Sequence, residues 1–220
     1  MKIVHKWVWT ILAFVSIILL TASIKKWTPI TPTEVFGFIT GAVCVLFVVE
    51  QNIWNFPVGI ANNIFFIVLF LSARLYGDMM LQVVYIVLGL IGWWQWLYGG
   101  VSLTELHVNH ASAREILILF SIGAVATAGM REYFIQINDS APFLDALTTA
   151  LSLIAQYLLN CKRIENWFVW IVADLIYVGL YVQKGLYLTA VLYVLFIGLC
   201  VAGYISWRKS EFQIKKVILV

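Results

Sequence analysis

The sequence predicts an all-α integral membrane protein with a parallel 3+1+3 helix repeat and one additional N-terminal transmembrane helix. Three observations lead there. The 220 residues are 63% hydrophobic and only 11% charged, with a mean hydropathy of +0.95, a balance a water-soluble globule does not need. Apolar runs of membrane-crossing length recur along the chain, and the second half repeats the first at a fixed offset.

Crossing a hydrocarbon core of about 30 Å takes about 20 mostly apolar residues. Eight runs qualify: Trp7–Ile24, Glu34–Glu50, Asn55–Ala73, Asp78–Tyr98, Arg114–Met130, Asp145–Cys161, Trp167–Gln183 and Tyr187–Trp207. The first follows Lys2 and Lys6 and ends in Thr21, Ala22 and Ser23, as a cleaved signal would. Its length and its flanking Trp7, Trp9 and Trp27 favour a retained helix. EQNIW, RLYGD, CKRIE and QKG mark tight turns, while Gly99–Ala113 and Arg131–Leu144 read as surface loops without a catalytic pattern.

Placing Tyr76 on Tyr187, a shift of 111 (187 minus 76), sets Asn55 on Asn166, Asn63 on Asp174, Leu75 on Leu186, Gly92 on Gly203 and Trp96 on Trp207. An LY after a charged turn, a polar residue at one depth and a terminal Trp recurring together indicate duplication. The chain therefore divides into 1–33 with the first helix, a three-helix repeat at 34–98, a linker with its own helix at 99–144, a second repeat at 145–207 and a basic cytoplasmic tail at 208–220. A unit of three spans inverts whatever follows it, so the single helix Arg114–Met130 restores parallel orientation. SWEET-type transporters share this arrangement, which places a substrate near the midplane between the repeats.

With both termini cytoplasmic, nine Lys and Arg lie inside and five outside, in keeping with the positive-inside bias. The net charge of +3 reflects that bias and gives no reason to expect nucleic acid. Cys44, Cys161 and Cys200 are odd in number, lack metal or disulfide spacing and read as small packing residues. His107 and His110 read as solvated loop residues, and no metal or cofactor is expected. Gly37 and Gly41 suggest close helix packing.

Candidate site residues lie on four helices. Trp167, Trp170, Asp174, Tyr177 and Tyr181 share one face of the seventh. Asp174 sits seven residues past Trp167, about 10 Å deeper, and an intramembrane carboxylate marks a functional site by default. Thr149, Ser152, Gln156 and Asn160 stripe the sixth helix, and Gln82, Tyr85, Gly89, Trp93 and Trp96 the fourth. Asn63 is the repeat partner of Asp174. Asn63, Gln82 and Gln156 could equally be interhelical glue, and Trp96 and Trp207, at helix ends, read as interfacial belt residues. A carboxylate among aromatic faces suits a flat organic cation, and amides suit hydroxyl groups. There is no Walker loop, no H-E-x-x-H and no serine with a base partner, so no enzyme is expected. An intramembrane enzyme or proton channel using Asp174 remains the reading from another class.

LYGDMMLQ…GWWQW and ENWFVWIVADLIYVGLYVQKGLYLTAVLY…GYISW resemble the PnuC family of bacterial vitamin transporters, over about Glu34–Trp207. The resemblance implies a homotrimer in the bacterial inner membrane, facilitated diffusion, and retention of substrate by a cytoplasmic kinase that need not touch the carrier. It implies nicotinamide riboside as substrate, its pyridinium near Trp170 and Asp174 and its ribose near Gln82, Gln156 or Asn160. Thiamine, also a ring cation, is the alternative within the family.

Overall fold

In the computed structural model the described residues are 2–27, 32–72, 76–138, 141–183 and 187–218. They form α1 (Lys2–Ile24), α2 (Pro32–Val49), α3 (Asn55–Ser72), α4 (Tyr76–Tyr98), α5 (Ala113–Gln136), α6 (Pro142–Asn160), α7 (Asn166–Gln183) and α8 (Tyr187–Ile218), with a short 3-10 turn at Val101–Leu103. Among the described residues five stretches are long and apolar enough to cross a membrane: Met79–Tyr98, Ala113–Gln136, Pro142–Asn160, Asn166–Gln183 and Ala190–Ile214. Trp9–Ile24, Val35–Val49 and Asn55–Leu71 are apolar but shorter. The predicted QKG turn and the Leu75/Leu186 pair fall outside the described residues.

The chain separates into two compact units. The first comprises Met1–Val48 and Trp54–Val87, the second Val49–Ile53 and Leu88–Val220, so α4 contributes to both. In the first unit Val35, Ala42, Leu46, Val48 and Phe56 are buried. Gly37 lies directly beneath the Phe66 ring, where a Cβ would collide with it, whereas Gly41 faces open space. Only the first half of the predicted glycine motif therefore serves close packing. Polar groups pair inside the unit, Thr40 Oγ1 donating to Asn62 Oδ1 at 2.7 Å and Cys44 Sγ to the Asn55 carbonyl at 3.2 Å.

In the second unit α5 packs on α6, α6 on α7 and α7 on α8. Small residues let α6 approach its neighbours: Ala146, Ala150 and Ala155 are buried, with Thr148 and Ser152 on the same helix. Thr148 returns its hydroxyl to the Leu144 carbonyl at 2.9 Å, so no buried donor is left open there. By contrast α5 buries only Gly123 and Thr127 and leaves Leu117, Phe120 and Val125 outward, as a lipid-facing helix does.

Two boundaries differ from the sequence expectation. The fifth helix continues through Arg131 to Gln136, because REYFIQ contains no helix breaker; the loop before α6 shrinks accordingly. The basic tail expected from residue 208 is helical to Ile218, again without Gly or Pro, and buried Glu211 anchors it.

The α6–α7 turn ties one end of the second unit together. Lys162 N bonds to the Leu159 carbonyl at 2.9 Å and Arg163 N to the Leu158 carbonyl at 2.8 Å, the crossed pair of a Schellman cap. The left-handed position that glycine usually fills is taken by Lys162, φ 48°, at a cost of about 1–2 kcal/mol. Gln51, 111 residues earlier, is also left-handed, φ 55°. Asn109 forms a single parallel bridge with Arg163. The Arg163 guanidinium reaches Glu115 Oε2 at 3.0 Å and Asn109 Oδ1 at 2.6 Å, and Ser112 caps α5 by accepting from Glu115 N at 3.1 Å.

His110 is the exposed loop residue expected, and it is also paired. Its two ring nitrogens lie 2.8 Å from Glu165 Oε1 and 3.2 Å from Glu211 Oε1, joining the α4–α5 loop to the α7 entrance and the α8 extension. Pairings across more than fifty positions leave no local trace in a sequence. Since Arg163 and Glu115 are both largely shielded, Arg163→Met should destabilise the detergent-purified protein by about 2–4 kcal/mol. Arg163→Met/Glu115→Gln should lose less than the sum of the single changes, read from thermal unfolding as a double-mutant cycle.

Candidate substrate site

Three indoles meet at the head of α7. Trp167 is 1% exposed and sets its ring edge-on to Trp207 at 5.3 Å between centroids. Trp207 is fully buried and packs edge-on against Trp96 at 6.0 Å. Trp96 donates its Nε1 hydrogen to the Leu159 carbonyl at 3.1 Å, tying α4 to the end of α6. Gly203 makes room for this: a Cβ there would strike the Trp167 indole. The expectation that Trp96 and Trp207 are belt residues is therefore corrected. A Trp at a helix end can face lipid or a neighbouring helix, and here glycine opposite opens the interior.

Beyond the indoles Trp96 carries a cation. Lys162 Nζ stands 4.4 Å from the centroid of its ring, and Lys162 is only 6% exposed. Burial pushes this ammonium down to about 8, with Glu105 offsetting part of the effect.

Two turns into α7, Asp174 is 6% exposed. Among the described residues its hydrogen-bond partner is the Cys200 thiol of α8, Sγ to Oδ2 at 3.8 Å. Cys200, read from sequence as plain packing, thus meets the carboxylate. The only signal for it in the sequence is helical spacing, which sets Tyr193, Phe196, Cys200, Tyr204 and Trp207 on one face of α8, since a lone cysteine has no chemical grammar. One turn further, Tyr177 lies 4.8 Å from Tyr193 and 6.1 Å from Tyr181, and Tyr181 stacks on Tyr193 at 5.3 Å. Tyr181 and Tyr193 belong with the candidate residues.

The remaining candidates vary. Trp170 and Trp93 are half-buried. Asn160 is buried and donates to the Leu88 carbonyl at 2.8 Å, while its Oδ1 accepts from Gln156 Nε2 at 3.0 Å. This pair acts as a tie between α6 and α4, the glue alternative. Asn63, Gln82 and Tyr85 are half-buried in the first unit, where Asn62, not Asn63, pairs with Thr40.

Two polar atoms at the head of α7 are buried without a partner among the described residues, Trp167 Nε1 and Asn166 Oδ1. Asn166 spends its Nδ2 on the Arg163 carbonyl at 2.6 Å. Leaving a buried donor unpaired costs about 1–3 kcal/mol.

Both the sequence and the fold have relatives among known proteins. The profile of the nicotinamide mononucleotide transporter family matches residues 31–209. The chain belongs to that family, PnuC. It is 27% identical to the nicotinamide riboside transporter PnuC of Neisseria mucosa over 184 residues, 78% of this chain and 70% of that one. To the Escherichia coli protein of the same name it is 24% identical over 203 residues, 80% and 85% of the two chains. The riboflavin/roseoflavin transporter RibM of Streptomyces davaonensis is 24% identical over 180 residues, 80% and 84% of the two chains. The fold matches the crystal structure of the vitamin B3 transporter PnuC with a TM-score of 0.74 at 24% identity, covering 97% of this chain and 94% of that one.

As a PnuC member the chain is a multi-pass membrane transporter and not an enzyme. In this chain the polar and aromatic stripe of α7 faces α8, with Asp174 on Cys200 and Tyr177 on Tyr193. Gly203→Leu should cost about 1–3 kcal/mol through overpacking against Trp167. Intrinsic fluorescence should report displacement of the indole as a red-shifted emission, with Gly203→Ala intermediate.

Proposed function

We propose that this protein takes up nicotinamide riboside by facilitated diffusion, with retention by phosphorylation inside the cell. The carrying observation is Asp174: a buried carboxylate with a weak thiol partner, one turn from Trp170 and one from Tyr177 on the same helix face. A pyridinium is a flat permanent cation, and such a site offers it ring faces and an opposite charge together. Trp167 Nε1 and Asn166 Oδ1, the unpaired atoms at the head of α7, suit an amide or ribose hydroxyl. In this reading Trp167, Trp170, Asp174, Tyr177 and Trp93, all of the second unit, contact substrate. Gln156 and Asn160 support the site by bracing α6 on α4.

The proposed architecture is a parallel 3+1+3 repeat, 34–98 and 145–207 about the linker helix, after an N-terminal helix. It is supported by α3 and α7, whose ends coincide at the 111-residue offset, and by left-handed Gln51 and Lys162, which coincide too. The proposed setting is the bacterial inner membrane, with both termini cytoplasmic and the chain a homotrimer.

Thiamine would satisfy the same charge argument, whereas uncharged riboflavin, the ligand in the name of RibM, would not use Asp174. Calorimetric titration of the purified protein with nicotinamide riboside, thiamine and riboflavin decides among them. Nicotinamide riboside should bind tightest, and Trp170→Ala and Asp174→Asn should each weaken it about tenfold or more, ~1.4 kcal/mol. Binding that survives the double change at wild-type strength removes the basis for the site.

A further inference from the structure

We propose that Lys162 is a positioning residue for the substrate site, its ammonium seated on Trp96 so as to fix the Trp96–Trp207–Trp167 ladder. This rests on the substrate reading above.

The geometry is continuous. Lys162 Nζ is 4.4 Å from the Trp96 ring, Trp96 is 6.0 Å from Trp207, and Trp207 is 5.3 Å from Trp167. Each of the three rings is buried, so a displacement of one is not absorbed by solvent. A desolvated cation over indole is among the stronger contacts available to a lysine. Lys162 also holds the left-handed cap position of the α6–α7 turn. Trp167, at the far end of the ladder, opens the stripe that leads through Trp170 to Asp174.

The described elements that meet at this turn carry Glu105, Glu115, Glu165 and Glu211 beside the ammonium's own residue. Glu105 acts on it directly. Glu115 is engaged by Arg163, and Glu165 and Glu211 by His110. Since burial draws the lysine down to about 8, its charge, and with it the ladder's anchor, is lost as pH rises through that value.

The test is nicotinamide riboside binding and tryptophan emission at pH 7 and pH 9, on wild type, Lys162→Met and Lys162→Arg. Wild type should bind more weakly at pH 9 and show an emission transition near pH 8. Lys162→Met should bind about tenfold more weakly at pH 7, with no pH dependence and no transition. Lys162→Arg should match wild type at pH 7 and hold that affinity at pH 9, because its charge does not titrate. Lys162→Met binding as wild type, or Lys162→Arg no better than Lys162→Met, overturns the proposal. A merely structural lysine would alter melting without creating or abolishing the pH profile. If wild type binds no nicotinamide riboside at either pH, the substrate reading fails. The ligand-free emission still decides the ladder, supported if Lys162→Met loses the transition and overturned if the transition persists.

Discussion

A chain that crosses hydrocarbon must satisfy its own hydrogen-bonding groups, because no solvent inside the bilayer will do so. Helices meet the backbone's share of that demand, and the side chains meet theirs by turning inward and pairing. Thr40 reaches Asn62, Thr148 returns to its own helix, and Asn160 reaches the Leu88 carbonyl across to α4. The outer faces are then left to Phe120, Val125, Leu175 and Val194. Against that background the unpaired Trp167 Nε1 and Asn166 Oδ1 are informative. They sit where α7 begins, on the helix that carries Asp174.

Close packing at this place depends on unequal partners. Trp207 has no exposed surface and packs on two further indoles, one of which, Trp167, fills the space left by Gly203. Large rings supply contact area with little conformational freedom to lose, and glycine lets them approach a helix axis. At the other end of α7 the tyrosines 177, 181 and 193 form a second aromatic group. The carboxylate is held between two stiff clusters, so its position is set by packing on both sides.

Much of this was legible in the sequence and some was not, for physical reasons. Helix α7 begins and ends within one residue of its apolar run because polar turns bracket it. The Trp167, Trp170, Asp174, Tyr177 stripe followed from helical spacing alone. The ends of α5 and α8 were set too early, since charged residues such as Arg131 and Arg208 mark the edge of hydrocarbon but not the end of a helix. Trp96 and Trp207 were assigned to the lipid interface, because periodicity fixes a face without saying what covers it. Gly203, four residues before Trp207, was the available clue. Arg163 with Glu115 and His110 with Glu211 depend on tertiary folding and could not be found locally. Asn160 was rightly marked as polar and inward, but only the fold shows that Leu88 takes its amide.

The partner of Asp174 bears most directly on what the site does. Had the described residues supplied a lysine or arginine, the carboxylate would be matched within the protein, and a solute cation would have to displace a strong ion pair to bind. A thiol is a weak donor and an ionised carboxylate has several acceptor sites, so Cys200 at 3.8 Å leaves most of that capacity unspent. The charge can then be balanced by whatever enters. The same arrangement limits affinity, since a carrier must release what it binds and a single carboxylate with ring faces offers fewer contacts than a closed cage. In the proposed function, selectivity for a flat ring cation draws on the same modest pairing of Asp174 with Cys200.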